Sequence, residues 1–310
     1  MGVADISIGL RDLESFRDRL TIKSIPSSEY NNGIISVNDI KVAKTGSATI
    51  VYNGSEFDCH IRTSDIKKLY IFFNGALGGG KIIPPMYRLS YENVVDGYYI
   101  NIGDPMYKKF KNVGLRKGWY YLYYEDIANM ILDISSNLGI DIQDVYLYGS
   151  SAGGTCACVV GNILKNVNVI AINPILILKE LNYFVKEFTR DTGIDLKEDR
   201  YLDIIESISS NKETKFLLCF NSKSEMDSES FHKLENKLKI KLNYGINNME
   251  SGMVWIYDRD GDETVPAHSK QENKLVYLVI EYLSEKLRYG EKKIDKTPFT
   301  VITEFWKNID

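Results

Sequence analysis

Short, continuous apolar runs alternate with amphipathic segments along most of the chain. The runs are rich in branched and aromatic residues, which is typical of strands that are buried on both faces of a sheet. Examples are "KLYIFFNG", "VYLYG", "KFLLCFN" and "MVWIYD". Between them, segments such as "EDIANMILDISSNLGI" repeat apolar residues at helical spacing, which predicts amphipathic helices. This alternation predicts an α/β protein with a mostly parallel central sheet and helices on both faces.

Two segments that depart from this pattern suggest how the chain is organised. Short β-like runs separated by turn residues predict a β-rich edge over residues 1–65. Residues 178–212 are charged and mostly helix-like, which predicts a small helical cap inserted between strands. No internal repeat or low-complexity linker is visible, so we expect one domain over residues 1–310.

Composition and charge narrow the class of protein. The chain has 310 residues, of which 44 % are hydrophobic and 26 % charged, as in ordinary globular proteins. The net charge is −4 and no long basic run occurs, so we do not expect a nucleic-acid partner. No apolar stretch approaches the roughly 18 residues of a transmembrane helix. The first residues also lack the basic start and apolar core of a signal peptide, so we expect a cytoplasmic protein.

The cysteines do not have the spacing of metal ligands. Two of the four flank a single residue, and the other two lie in strand-like runs, so we expect reduced structural thiols and no bound metal. They are Cys59, Cys156, Cys158 and Cys219. The chain has only three histidines, His60, His232 and His268, which limits the choice of a general base.

The stretch "VYLYGSSAGG" ends a predicted strand in a run of small residues that fits the pattern G-x-S-x-G, with Ser151 at its centre. In a nucleophile elbow the serine occupies a strained turn between a strand and a helix, and backbone N–H groups at the start of that helix stabilise an oxyanion. We therefore predict Ser151 as a nucleophile and the N–H of Ala152 as an oxyanion donor. The alternatives are a close-packed turn and a phosphate-binding loop, but no lysine follows as the latter would require.

A serine nucleophile needs a base, and His268 is the best-placed histidine. It follows the predicted strand "MVWIYD" through the loop "RDGDETVPA" and precedes the last amphipathic helix. This is the position of the catalytic histidine in an α/β-hydrolase, after the final core strand. His60 lies in the N-terminal β region and His232 lies within a predicted helix, so we expect neither to replace it.

The carboxylate that would orient the histidine has several candidates. The chain order of the fold is serine, acid, histidine. The loop "SKSEMDSES" after the strand "KFLLCFN" offers Glu225 and Asp227, of which Asp227 is slightly preferred. The rivals lie in the histidine's own loop and are Asp258, Asp260 and Asp262.

A second oxyanion donor is expected in the loop "FFNGALGGGK", which follows an early predicted strand. Its glycines allow the backbone to turn N–H groups inward. By position, the donor would be the N–H of Ala76. The alternative is a flexible glycine loop without this role.

Several marks in a fixed order resemble known proteins over about residues 69–155, and the order of the later elements agrees to about residue 290. The marks are Phe73 and Gly75, Asp104-Pro105, Gly118-Trp119-Tyr120, and Gly149 to Gly154. The stretch resembles the capsular-polysaccharide biosynthesis proteins of the XcbB/CpsF type. It is also similar to the meningococcal capsule O-acetyltransferase and to accessory-secretion proteins that O-acetylate adhesin glycans.

This resemblance implies an α/β-hydrolase fold with a Ser-acid-His triad, to which Ser151 and His268 match cleanly. It implies acetyl transfer from acetyl-CoA, with no bound cofactor, to a hydroxyl of a bacterial surface (capsular) polysaccharide or glycan precursor. A capsule-assembly complex is a further partner that it suggests. Two other functions stay open: a carboxylesterase or deacetylase with the same triad, and a non-catalytic scaffold in a glycan-assembly or secretion complex.

Overall fold

The computed structural model describes most of the chain between residues 31 and 269. The described residues are 31–76, 89, 92, 95, 97–110, 119–196, 199–257, 260–261 and 267–269. Several sequence predictions lie outside them, namely those on residues 1–30, Gly118, Asp258, Asp262 and the last amphipathic helix.

Within these ranges the strands form one ten-stranded sheet with the order β1-β2-β3-β5-β4-β6-β7-β8-β10-β9. The central strands β5, β4, β6, β7, β8 and β10 run parallel, and β3 and β9 are antiparallel to their neighbours. The strands are β1 Asn31–Ile35, β2 Gly46–Tyr52, β3 Ser55–Arg62, β4 Leu69–Phe73, β5 Tyr98–Ile102, β6 Val145–Ser150, β7 Asn168–Ile172, β8 Lys215–Asn221, β9 Gly245–Met249 and β10 Gly252–Tyr257. The mostly parallel sheet predicted from the sequence is confirmed.

Within the described residues, six α-helices and several short 3₁₀ helices lie between or after the strands. The α-helices are α1 Met106–Lys109, α2 Tyr124–Leu138, α3 Ala152–Leu164, α4 Asn182–Thr192, α5 Ile205–Ser210 and α6 Glu225–Leu238. Helices α4 and α5 occupy the segment that the sequence predicts as a helical cap, and β1, β2 and β3 occupy the predicted β-rich edge. The boundaries of a single domain and the role of residues 178–212 as a cap stay predictions.

Apolar burial explains why the central runs form strands. Every residue of β4, β5, β6 and β7 is buried, and because successive side chains point to opposite faces, both faces of the sheet are covered. Aromatic pairs reinforce neighbouring strands: the rings of Tyr70 and Tyr146 stack at 4.8 Å, and those of Phe72 and Tyr148 lie 4.7 Å apart. Such pairs contribute about 0.5–1.5 kcal/mol each beyond their buried area.

The carboxyl ends of the parallel strands meet at one edge of the sheet. Ser150, the last residue of β6, is in register with Ile172 at the end of β7. Asn221, the last residue of β8, is in register with Tyr257 at the end of β10. The segments that follow these strands therefore lie close together, at the edge where α/β sheets bind ligands.

Candidate active site

Ser151 lies at the turn between β6 and α3. Its backbone has a φ of 52° and a ψ of −123°, which is uncommon for a residue with a side chain and costs about 1–3 kcal/mol. Its N–H donates a hydrogen bond to the carbonyl oxygen of Ile172 at 2.8 Å, which ties the turn to the neighbouring strand. This strained turn is the backbone geometry of a nucleophile elbow.

Two glycines of the G-x-S-x-G pattern are required by close backbone approach. A Cβ atom on Gly149 would lie 2.0 Å from the carbonyl oxygen of Gly153. A Cβ atom on Gly153 would lie 2.4 Å from the carbonyl oxygen of Phe73, at the end of β4. Neither distance is compatible with a side chain, so the elbow packs directly on its own helix and on the adjacent strand.

The side chains of Ser151, His268 and Asp227 form a chain of hydrogen bonds. The Oγ of Ser151 lies 2.9 Å from Nε2 of His268, and Nδ1 of His268 lies 2.6 Å from Oδ1 of Asp227. Asp227 is fully buried, whereas the His268 side chain is 19 % exposed. Because Nδ1–H donates to the carboxylate in this arrangement, Nε2 can accept the proton of the serine hydroxyl.

The start of helix α6 explains how Asp227 reaches the histidine. The loop predicted over "SKSEMDSES" is shorter than expected, because α6 begins at Glu225 and Asp227 lies in its first turn. Ser224 caps the helix, and its Oγ accepts a hydrogen bond from the N–H of Asp227 at 3.3 Å. The pattern Ser-x-x-Asp is close to the capping-box signature of a helix start, and it is the signal that could have placed this boundary.

Glu225 and Asp260 are the two other candidate acids that the structure describes, and neither forms a hydrogen bond or an ion pair with His268. Glu225 is exposed to solvent on the first turn of α6. Asp260 is also exposed, with its nearest described cation, Nζ of Lys223, 3.9 Å away. Of the described candidates, Asp227 contacts His268, and its role as the acid stays a prediction.

The two predicted oxyanion donors belong to segments near the serine, and their role stays a prediction. Ala152 is buried and is the first residue of α3, where the N–H groups of a helix point outward and favour negative charge. The loop that follows β4 passes beside the elbow, since a Cβ atom on Gly75 would lie 3.9 Å from Cβ of Ser151. Ala76 is the next residue of that loop and is partly buried against the core.

Sequence reasoning gave no role to the residues that hold this loop. The backbone N–H of Asn74 donates to the hydroxyl oxygen of Tyr120 at 2.7 Å, and that hydroxyl donates to the carbonyl oxygen of Ile102 at 2.8 Å. The side chain of Asn74 donates to Oδ1 of Asn101 at 2.6 Å. The signal was present in the mark Trp119-Tyr120, but its function depends on contacts that the sequence does not reveal.

The backbone of Tyr120 is itself held by a buried carboxylate. Trp119 and Tyr120 both have a positive φ, of 55° and 59°, and Oδ2 of Asp104 accepts a hydrogen bond from the N–H of Tyr120 at 3.0 Å. Oδ1 of Asp104 accepts another from the N–H of Met106 at 2.9 Å. Burial raises the pKa of Asp104 to about 7, and these two hydrogen bonds act in the opposite direction.

The other two histidines are engaged away from the serine. His60 is buried on β3 and its Nε2 contacts a carboxylate oxygen of Glu92. His232 is exposed on α6 and its Nδ1 lies 2.6 Å from Oε2 of Glu235. Their positions agree with the expectation that neither replaces His268.

All four cysteines are buried and free, as expected of structural thiols. Burial raises the pKa of each thiol, so these residues are protonated and poorly nucleophilic. The chemistry available at this edge of the sheet is therefore that of a serine, a histidine and a carboxylate.

Comparison with solved structures identifies the fold. A variant of the capsule O-acetyltransferase of Neisseria meningitidis serogroup A, solved in complex with CoA, superposes with a TM-score of 0.54 at 16 % identity, covering 81 % of this chain and 99 % of that chain. A glycosylation-associated protein complex from Streptococcus agalactiae gives a TM-score of 0.54 at 17 % identity, covering 79 % of this chain and 46 % of that chain. Esterase B from Lactobacillus rhamnosis gives 0.53 at 12 % identity, covering 93 % and 97 %.

These similarities show that the chain has the α/β-hydrolase fold, which confirms the fold expected from the sequence. The chain shares this fold with the capsule O-acetyltransferase that it was expected to resemble. A scan against protein-family models found no match, and a search of curated proteins found no significant one, so the expected resemblance to the XcbB/CpsF type stays a prediction.

None of the helices in the described ranges combines the length and the apolar character that crossing a bilayer requires.

Proposed function

We propose that the protein is a serine-dependent O-acetyltransferase. In this proposal it transfers an acetyl group from acetyl-CoA to a hydroxyl of a bacterial surface polysaccharide or its precursor. The observation that carries the proposal is the hydrogen-bonded series Ser151, His268, Asp227 on a strained elbow. The fold shared with a capsule O-acetyltransferase solved with CoA supports the choice of donor and acceptor.

The first half-reaction would acetylate the enzyme. Oγ of Ser151 attacks the thioester carbonyl while Nε2 of His268 takes its proton, and the Asp227 carboxylate stabilises the imidazolium. The N–H groups of Ala152 and Ala76 donate to the oxyanion of the tetrahedral intermediate. When the intermediate collapses, the C–S bond breaks and His268 returns the proton to the departing thiolate of CoA.

The second half-reaction would transfer the acetyl group. A sugar hydroxyl attacks the acetyl-serine carbonyl, and His268 takes the proton of that hydroxyl. The intermediate then releases Ser151 as its alkoxide, which recovers the proton from His268, and the acetylated sugar leaves. Because the acceptor enters only at this step, the acceptor decides between a transferase and a hydrolase.

An esterase or deacetylase is the second candidate function. It would use the same residues with water as the acceptor, and the fold shared with an esterase over 93 % of this chain favours it. We propose the transferase because a capsule O-acetyltransferase is found among the similar structures as well. We further propose that it works in the cytoplasm, alongside a glycan- or capsule-assembly complex.

Intact-protein and peptide mass spectrometry after incubation with acetyl-CoA tests the proposal. We expect an acetyl group on Ser151 that is lost faster when a glycan acceptor is added, with acetylated glycan appearing in step. Ser151→Ala should show no adduct, because alanine fits the small-residue turn but has no nucleophile. Ser150→Ala is the matched control and should still be acetylated.

The outcomes separate the candidate functions. Acetate release at a rate that is insensitive to every acceptor would favour the hydrolase. No adduct and no CoA release from the wild-type protein, together with a normal glycan phenotype for the Ser151→Ala strain, would overturn both enzyme proposals and favour a scaffold.

A further inference from the structure

Two buried asparagines at neighbouring strand ends hold the backbone of the His268 turn. Nδ2 of Asn173, which directly follows β7, donates to the carbonyl oxygen of His268 at 2.7 Å. Nδ2 of Asn221, the last residue of β8, donates to the carbonyl oxygen of Ala267 at 2.8 Å. Both asparagines are fully buried, so two adjacent peptide groups are held by side chains that belong to the sheet.

The orientation of each amide is fixed by a hydrogen bond to its oxygen. The hydroxyl of Tyr257, at the end of β10, donates to Oδ1 of Asn173 at 2.7 Å. The N–H of Lys223 donates to Oδ1 of Asn221 at 3.1 Å. A flipped amide would turn Oδ1 towards a carbonyl oxygen, and neither oxygen can donate, so in each case the NH₂ group must face the histidine turn.

The backbone that carries Asn173 is also fixed. Its N–H donates to the carbonyl oxygen of Cys219 in β8 at 2.7 Å, which extends the pairing of β7 and β8 by one residue. Its φ is 49°, in the left-handed region that asparagine tolerates better than most residues. The amide therefore projects from a rigid strand end.

We propose that Asn173 and Asn221 are positioning residues for His268, and that Tyr257 assists by orienting the amide of Asn173. A base that must meet Asp227 on one nitrogen and Ser151 on the other has to be held to within about 0.5 Å. Asn173 donates a hydrogen bond to the backbone carbonyl oxygen of His268 and so restrains the backbone that carries the imidazole. The asparagines act through His268, and their effect should appear in the reactivity of Ser151. This inference rests on the proposed function of the site.

The test measures how fast a fluorophosphonate phosphonylates Ser151, a step in which the serine oxygen replaces fluoride and the serine proton leaves with it through His268. The reaction needs neither acetyl-CoA nor a glycan, so it reports on the serine and histidine whichever acceptor is used. We expect Asn173→Gly to lower the second-order rate constant on the order of 10–100-fold. Glycine is chosen because it accepts the positive φ while removing the amide.

Asn168→Gly is the matched control. Asn168 is buried at the opposite end of the same strand, and its Nδ2 donates to the carbonyl oxygens of Gln143 and Val145 at 2.8 and 3.2 Å. Both variants lose a buried amide that bonds to backbone carbonyls, so a merely structural role predicts equal effects. We expect comparable losses of melting temperature but a normal phosphonylation rate for Asn168→Gly.

A second comparison isolates the path through the histidine. In a His268→Ala background, Asn173→Gly should cause no further loss of rate, because the group that it positions is gone. Should Asn173→Gly be too unstable to purify, Tyr257→Phe decides. It removes only the hydroxyl that fixes the amide, and we expect a loss of about threefold, the equivalent of a weak hydrogen bond.

The results that overturn the inference differ from those that overturn the proposed function. A wild-type protein that is not labelled at Ser151 removes the proposed function itself. Normal labelling of Asn173→Gly, an equal loss in Asn168→Gly, or an undiminished loss in the His268→Ala background removes the positioning role while leaving the proposed function standing.

Discussion

At the scale of single residues, two neighbours on one helical turn have opposite surroundings. Asp227 is fully buried and contacts His268, whereas Glu225 is exposed. Both are carboxylates in the first turn of α6, so their intrinsic chemistry is nearly the same. Their difference in burial makes them a natural pair for testing the acid of the site.

We expect Asp227→Asn to lose on the order of 10³–10⁴-fold in turnover, because an amide cannot hold the imidazole in the required tautomer or stabilise its positive charge. Glu225→Gln should keep near-normal turnover. The rate of acetyl transfer to Ser151, measured for both variants, checks this. Their melting temperatures should be compared first, to show that both variants are folded. The assignment of the acid fails if Glu225→Gln is the inactive variant.

The sequence predicted which kinds of residue form the site better than it predicted which residues contact each other. Ser151 was identifiable because a nucleophile elbow needs glycines in fixed positions, and the close contacts of Gly149 and Gly153 show why. The acid was not decided, because a helix start shifted by a few residues moves a carboxylate from a loop into a helical turn. The role of Asn173 could not be predicted for another reason: its contact with His268 joins residues that are 95 positions apart in the sequence.

At the scale of elements, the loop after β4 is held by the turn that precedes α2. The hydroxyl oxygen of Tyr120 accepts a hydrogen bond from the N–H of Asn74, the residue that begins the loop carrying Ala76. An oxyanion donor contributes only if it points at the developing charge without rearranging. If the N–H of Ala76 is an oxyanion donor, as proposed, the hydroxyl of Tyr120 would affect the rate of acylation by holding the start of this loop.

Tyr120→Phe should slow acylation of Ser151 by about tenfold, because it leaves the N–H of Asn74 without its acceptor and loosens the loop. Tyr124→Phe is the control: Tyr124 is about equally buried and its hydroxyl donates to the carbonyl oxygen of Trp119 at 2.9 Å, whereas the N–H of Asn74 donates to Tyr120. Single-turnover acetylation of both variants gives the comparison. Equal rates for the two would argue against this support of the loop.

At the scale of the whole molecule, the buried carboxylate of Asp104 makes stability depend on pH. Burial raises its pKa in the folded protein to about 7, whereas an unfolded aspartate titrates near 3.9. Between these values the folded state holds a proton that the unfolded state has released. The contribution of Asp104 to the free energy of unfolding therefore falls as the pH rises from about 4 to about 7.

We expect Asp104→Asn to remove this part of the pH dependence, since asparagine does not titrate. The melting temperature of the wild type should fall more between pH 5 and about 8 than that of Asp104→Asn. Glu225→Gln, which alters an exposed carboxylate, should follow the wild type. Parallel curves for wild type and Asp104→Asn would contradict the prediction.

The fold was predictable from the sequence to the level of layers, because strands covered on both faces must be continuously apolar and α2 must show helical spacing. The buried residues of α2 include Ile127, Ile131 and Ile134, as its pattern predicts. The sequence did not predict how the strand ends are joined to the site. Those connections are hydrogen bonds between residues far apart in the chain, such as the bond from Asn173 to the carbonyl oxygen of His268.

The distance along the chain between Ser151 and His268 has a consequence for biosynthesis. Their hydrogen bond closes a separation of 117 residues, and both asparagines that hold the His268 turn precede it in the chain. During translation the elbow and its supports emerge before the base does. Under the proposed function, a nascent chain would therefore carry the serine without its base, and it could not react with acetyl-CoA until β10 and the turn that carries His268 have folded into place.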